Sequence, residues 1–214
     1  MLFGRFLTAP APALVGQRLY LRHPLPGDFE AWAALRIVSR AHLQPWEPSW
    51  AEDALSRDGF RRRLAWFDKI RRQESGEAYF LFARPGSRLG DGSLLGGITL
   101  SNIRRGAAQC GELGYWIGQP YAGQGLMGEA LQLMLRHCYG ALKLHRLEAA
   151  TLPENEPSQR LLLRAGFQAE GIARQFLKIN GAWRDHRVYG RLISDGSAAG
   201  DGSARDGSVG DGVF

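Results

Sequence analysis

Between Gly114 and Met127 the chain reads Gly-Tyr-Trp-Ile-Gly-Gln-Pro-Tyr-Ala-Gly-Gln-Gly-Leu-Met, a strand pattern that passes through a glycine-bearing turn into a helix start. Gly123 and Gly125 let the backbone adopt positive φ and approach a ligand closely. The following helix offers unpaired N–H groups and the positive end of its dipole, so the segment suits an anion and above all a phosphate. It is not a P-loop, because no Gly-Lys-Ser/Thr follows. Gly123, Gly125 and Gly128 satisfy the spacing of the dinucleotide fingerprint, but that fingerprint needs an acidic residue about 20 residues on, where this chain has Thr151 and Leu152. The competing reading is an ordinary turn whose glycines only ease packing.

The elements that must hold this turn follow from periodicity. Arg18 to Arg22 alternates as a strand and is closed by Pro24 and Pro26. Asp28 opens a helix whose apolar stripe is Phe29, Trp32, Ala33 and Leu35 to Ile37. A second helix is expected over Glu52 to Gln73, with Phe60, Leu64, Phe67 and Ile70 inward and Arg57, Arg61, Arg62, Arg63, Lys69, Arg71 and Arg72 elsewhere on it. That basic side reads either as wetted surface or as a docking face for acidic or RNA-rich material. Three strands in a meander follow at Ala78 to Arg84, Leu94 to Ile103 and Cys110 to Ile117, then a helix from Leu126 to Leu142. Arg146 to Leu152 is a strand and Glu156 to Ala165 a helix stopped by Gly166; Phe167 to Leu177 and Trp183 to Leu192 form a closing hairpin. The order β-α-α-β-β-β-α-β-α-β-β predicts a mixed α/β (α+β) fold with a mostly antiparallel central sheet, helices on both faces, and a βαβ unit around the glycine turn.

A chain of 214 residues suits one domain with a sizeable core. Asp195 to Phe214 repeats Asp-Gly-Ser at 195, 201 and 206 and has little apolar content, so it reads as a disordered tail. With four Asp and one Arg, that tail carries a net of −3 and leaves +9 on the remainder, given +6 overall. A folded part this basic favours acidic partners, whether cofactor phosphates, nearby nucleic acid or a ribonucleoprotein surface, and charge alone does not choose among them. The two cysteines, Cys110 and Cys138, lack metal-type spacing and point to free thiols in a reducing compartment, hence the cytoplasm. Met1 to Val15 is interrupted by Pro10 and Pro12, and no segment reaches the roughly 20 apolar residues of a membrane span. No metal is expected, because His23, His42, His137 and His145 lack ligand spacing. Neither DNA nor a membrane is expected as a partner.

Four segments taken together carry a resemblance: Gln119 to Met127, Asn155-Glu156-Pro157-Ser158, Leu163-Arg164-Ala165-Gly166-Phe167, and Asn180-Gly181-Ala182-Trp183-Arg184-Asp185-His186. They resemble the GNAT superfamily, and within it the ribosomal-protein alanine N-acetyltransferases of the RimJ/RimL type, over roughly residues 17–192. The resemblance implies a GNAT-like domain at 17–193, with an N-terminal extension at 1–16 and the tail at 194–214. It also implies acetyl-CoA as acetyl donor, its pyrophosphate on the turn and its pantetheine beside the fourth expected strand, near Trp116 and Ile117, where the family's strands splay. The family pattern Gln/Arg-x-x-Gly-x-Gly/Ala falls on Ala122, Gly123, Gln124, Gly125, Leu126 and Met127. Ala122 stands where Gln or Arg is usual, and Met127 where a small residue is usual.

Asn155 and Ser158 match the family's Asn-x-x-Ser at a helix start. There the resemblance implies an amide holding the pantetheine arm and a hydroxyl protonating the leaving thiol; a helix cap is the other reading. An α-amino group titrates near 7.7 to 8.0, so its attack needs a base. Glu112, at the start of the Gly-Tyr-Trp strand, is the candidate, with a surface ion pair as the alternative. Tyr115 reads as core and, second, as a proton donor; Asp185 and His186 read as structural. No Ser-His-Asp order or Gly-x-Ser-x-Gly elbow appears, so direct attack of amine on thioester is expected. The leading acceptor is the N-terminal residue, alanine first, of a ribosomal protein. A small amine such as an antibiotic, polyamine or amino acid is the second reading, and a module that associates with the ribosome through the basic helix is the third.

Overall fold

The computed structural model describes residues 13–196. Its strands are β1 (Leu14–Val15), β2 (Leu19–Arg22), β3 (Glu77–Ala83), β4 (Leu94–Arg104), β5 (Cys110–Ile117), β6 (Arg146–Thr151), β7 (Gln168–Ile179) and β8 (Ala182–Leu192). Its helices are α1 (Phe29–Val38), α2 (Arg40–Leu43), α3 (Arg57–Arg72), α4 (Leu126–Gly140) and α5 (Glu156–Arg164). All eight strands join one sheet in the order β1-β2-β3-β4-β5-β6-β8-β7. Every neighbouring pair is antiparallel except β5 and β6, which the α4 crossover makes parallel.

Apolar residues on both faces of the central strands create two cores. On β3, Tyr79, Leu81 and Ala83 pack with α4 and α5 on one side, while Phe80 and Phe82 pack with α1 and α3 on the other. The first core takes Leu126, Ala130, Leu131, Met134, Leu135 and Cys138 from α4 and Leu162 from α5. The second gathers Trp32, Phe60 and Leu94, with the Trp32 and Phe60 rings 4.8 Å apart. Arg22 and Asp28 form a two-pronged pair (2.7 and 2.6 Å) that ties β2 to the entry of α1, each residue 8% exposed.

The mixed, mostly antiparallel fold expected from the sequence is the fold observed. Three local differences have physical causes. Helix α3 begins at Arg57, not Glu52, because the Ser56 side chain accepts from the Gly59 amide as an N-cap. The turn before it lies so close that a Cβ at Gly59 would come within 2.3 Å of the Asp53 carbonyl oxygen. The short α2 carries too little periodicity to be read locally. β1 pairs with Tyr20 and Leu21, so Leu14 and Val15, within the segment expected as an extension, join the sheet. Residues 1–12, and residues 197–214 of the expected tail, lie outside the described residues. Asp195, where that tail was expected to begin, accepts from the Leu192 amide in a short closing turn.

Candidate active site

Gly123 and Gly125 both stand at φ +74°, and the main chain between them turns directly into α4. Among the described residues, the amides of Gly123, Gln124, Gly125, Leu126 and Met127 donate to no acceptor; the first helical bond is from Glu129 to the Gly125 carbonyl. Five successive unpaired N–H groups at a helix start make an anion cradle. A Cβ on Gly123 would meet nothing within 4 Å, so the space above the turn is open. Met127 is 8% exposed and turned into the core, so the larger residue there leaves the cradle unobstructed.

A residue that the sequence reading did not single out braces the turn. Arg18 donates to the Gln124 carbonyl (2.8 Å) and to Glu129 (2.9 Å), and its own amide also donates to Glu129 (2.8 Å). Burial opposes ionisation of Glu129, but these Arg18 contacts prevail and hold its carboxyl below the usual range. The guanidinium lies 3.6 Å from where a Gly125 Cβ would stand, which brings a cation beside a turn that has Ala122 in place of Gln or Arg. The signal was hard to see, since Arg18 and Glu129 are 111 residues apart.

Beyond the turn, β5 and β6 separate. Their pairing runs through Cys110↔Arg146, Gly111↔Leu147 and Glu112↔Glu148 and then ends, although both strands continue. Gly118 donates to the Leu95 carbonyl, so by ladder alternation Trp116 and Gly114 bond toward β4, while Leu113, Tyr115 and Ile117 present main-chain groups to the gap. This corrects one expectation: Ile117 offers its backbone to the gap, whereas the Trp116 backbone is engaged with β4. The Trp116 indole instead lies against Gly97, where a Cβ would come within 2.5 Å of its Nε1.

On the α4/α5 face of the gap, the Tyr115 and Ser158 hydroxyls are 2.7 Å apart. Asn155 caps α5 by accepting from the Ser158 amide at 3.2 Å, which orients the helix start. Burial pushes the Tyr115 phenol up to about 12, against the pull of its bond to Ser158, so it remains a neutral donor at ordinary pH. Tyr115 thus belongs to a hydroxyl pair in addition to packing against the core.

Glu112 lies on the opposite face, by strand alternation the face of Gly114 and Trp116. Asn102 donates to its carboxylate at 2.9 Å, and Glu148 sits beside it in register. A Cβ on Gly114 would meet nothing within 4 Å, so open space lies between Glu112 and the Trp116 indole. A cavity of about 420 Å³ adjoins it on this face, walled by Trp32, Arg36, Glu47, Trp50, Arg63 and Trp116 among others. The tip of the β7–β8 hairpin closes onto the loop of this wall, where the Asn180 amide donates to the Glu47 carbonyl at 3.0 Å.

The remaining candidates are structural. Asp185 accepts from the Gln175 amide at 2.8 Å across the hairpin, and His186 is buried with Nδ1 3.1 Å from the Arg184 carbonyl. Cys110 and Cys138 are free and buried, and burial raises the Cys138 thiol to about 12. His23 stacks on Tyr79, and His137 meets Glu77 at 2.7 Å, both away from the gap. On α3, Arg57 pairs with Glu30, Arg61 with Asp58, Arg62 with Asp53, and Arg71 and Arg72 with Asp68, so most of the helix's positive charge is locally balanced. Among the described residues no helix is long and apolar enough to cross a membrane.

An open strand edge, a splayed parallel neighbour and an anion cradle at the crossover helix define a class of acyltransferase. Residues 18–168 match the acetyltransferase (GNAT) domain family, and the chain belongs to it: the family of acetyl-CoA-dependent N-acetyltransferases. The chain is 36% identical over 187 residues to the [Ribosomal protein uS5]-alanine N-acetyltransferase of Escherichia coli, covering 86% of this chain and 93% of that one. It is 36% identical over 182 residues to the probable N-acetyltransferase YjcK of Bacillus subtilis, covering 85% and 98%. Among solved structures, RimJ of Mycobacterium smegmatis in complex with CoA-disulfide superposes with a TM-score of 0.76 at 30% identity, covering 85% and 89%. The ribosomal-protein-S5-alanine acetyltransferase of Vibrio fischeri superposes with a TM-score of 0.75 at 28% identity, covering 84% and 95%.

Proposed function

We propose that this acetyltransferase moves the acetyl group of acetyl-CoA onto the α-amino group of an N-terminal residue, alanine first, of a ribosomal protein. The observation that carries the reading is the end of β5–β6 pairing at Glu112↔Glu148, which opens a gap flanked by a carboxylate on one face and a hydroxyl pair on the other. The name of the Escherichia coli relative, 36% identical along 93% of its length, supports the choice of acceptor.

In this reading the diphosphate of the donor accepts hydrogen bonds from the amides of residues 123–127, the Ala122 amide being already engaged with the Gln119 carbonyl, and the pantetheine pairs with the free edge at Tyr115 and Ile117. Asn155, at the start of α5, borders the same arm. The thioester then lies in the gap. The amine arrives over Gly114 from the Glu112 face, and Glu112 accepts its proton directly or through a bridging water. Nitrogen bonds to the thioester carbon, the C–S bond breaks, and the sulfur takes a proton from the Ser158 hydroxyl as Ser158 takes one from Tyr115 at 2.7 Å; the tyrosine regains its proton from solvent when the products leave. Positioning of the two reactants, the base and the acid supply the rate, without an acyl-enzyme.

Incubation with acetyl-CoA and an alanine-leading ribosomal-protein peptide, beside a panel of polyamines, amino acids and aminoglycosides, tests the acceptor by mass spectrometry. One acetyl group on the peptide α-amine is the expected result; acetylation confined to the small amines would overturn the reading. The local pairing of five of the six α3 arginines leaves docking on RNA the weaker account of that helix.

A further inference from the structure

Arg63 differs from the other arginines of α3. Five of the six pair with carboxylates; Arg63 has no hydrogen bond or ion pair among the described residues, and its Cζ lies 5.5 Å from the centroid of Trp32 in the wall of the cavity. The carboxylate that shares the cavity lining with it, Glu47, is already taken. Its oxygens accept from Arg36 at 2.8 and 2.5 Å and from the Trp50 indole at 2.7 Å. With Arg36, Arg63 and Glu47 as its charged lining residues, the cavity holds one positive charge in excess.

Arg63 keeps an accessible surface, but the protein around its guanidinium and the charge of Arg36 lower its pKa, with Glu47 offsetting only part of the effect. An unpaired cation so placed gains from a carboxylate partner. Arg63 also marks where the cavity continues: a second, more open groove shares Ala51, Ala54 and Arg63 with the first and runs on to Arg62 and Trp66. A chain longer than a single amino acid, with its amine over Gly114, would have to run past Arg63 to pass from the first space into the second.

We infer that Arg63 is a specificity-determining residue that binds an acidic side chain following the reactive amine, so that the acceptor is a peptide with Asp or Glu among its first few residues. The inference rests on the N-terminal acetylation proposed above. It makes the wall of the cavity a reader of acceptor charge rather than a general docking face.

Alanine-leading peptides that differ only in carrying Glu, Gln or Lys at positions two to four test it in steady-state assays. The acidic peptides are expected to show a kcat/KM at least about tenfold above the neutral ones, through acceptor KM, since hydrogen bonds to charged groups carry free energies of that order. Arg63→Gln is expected to erase the difference, Arg63→Lys to retain part of it, and Arg63→Glu to shift it toward the Lys peptides. The KM for acetyl-CoA and the thermal midpoint are expected to stay unchanged. A preference that survives Arg63→Gln, or turnover with no charge preference, would overturn this inference alone. No turnover of any peptide would overturn it together with the N-terminal reading.

Discussion

Glu112 and Ser158 approach the β5–β6 gap from opposite faces of the sheet, which is where a base for an incoming amine and an acid for a departing thiolate would have to stand. Glu112→Gln is expected to lower kcat by about 10²- to 10⁴-fold, the usual worth of a positioned base, with coenzyme A affinity unchanged in calorimetry. A matching loss of affinity would mean that Glu112 supports the fold and not the chemistry. Ser158→Ala is expected to lower kcat more than Tyr115→Phe, because in the proposed scheme the serine gives the proton and the tyrosine stands behind it at 2.7 Å. Equal losses in the two variants would make the pair one unit. At this scale the sequence was partly readable: Glu112 was picked out by its place before Gly-Tyr-Trp and Ser158 by the family's Asn-x-x-Ser, whereas Tyr115 read first as core and only second as a proton donor. Arg18 and Arg63 did not, because their importance lies in the presence or absence of partners distant along the chain.

The glycine turn with its helix is the element on which donor binding depends. Because φ is +74° at Gly125, any L side chain there is strained by about 1–2 kcal/mol, and relief would rotate the unpaired amides out of the cradle. Gly125→Val is expected to weaken coenzyme A binding by tenfold or more in calorimetry, while the thermal midpoint without ligand falls only slightly. Unchanged affinity would remove the turn from the site. The turn was legible because its signature is local: two glycines and a helix start, with the glycine spacing of the dinucleotide fingerprint set aside because Thr151 and Leu152 stand where its acidic residue belongs. Its surroundings were less so. The start of α3 was misplaced because apolar periodicity cannot show that Ser56 caps the helix, and the role of Trp116 was misassigned because only the register with β4 decides which main-chain groups face the gap.

For the molecule as a whole, the sheet is clamped by buried polar contacts as well as by its two cores. Asp28→Ala would leave Arg22 buried without its partner and is expected to cost about 3–5 kcal/mol in denaturant unfolding. A loss under 1 kcal/mol would show that water reaches the guanidinium. Glu77, between Tyr79 and His137, is destabilised as a carboxylate by burial, but the hydrogen bonds from those two residues prevail and lower its pKa below the ordinary 4.5. A depressed carboxyl contributes stability that is complete above its unfolded-state pKa and fades as pH falls through its folded one. Glu77→Gln is therefore expected to flatten the loss of stability below about pH 4.5, read by thermal midpoints across acid buffers. The amino-acid order by itself determined the succession of elements, the mixed sheet and the phosphate-binding turn, since each depends on periodicity or backbone freedom within a few residues. Only the tertiary structure decided where β5 and β6 part, which face each candidate side chain occupies, and which arginine stays unpaired. Those features arise from strand register and from contacts between residues far apart in the chain, and no local pattern encodes either.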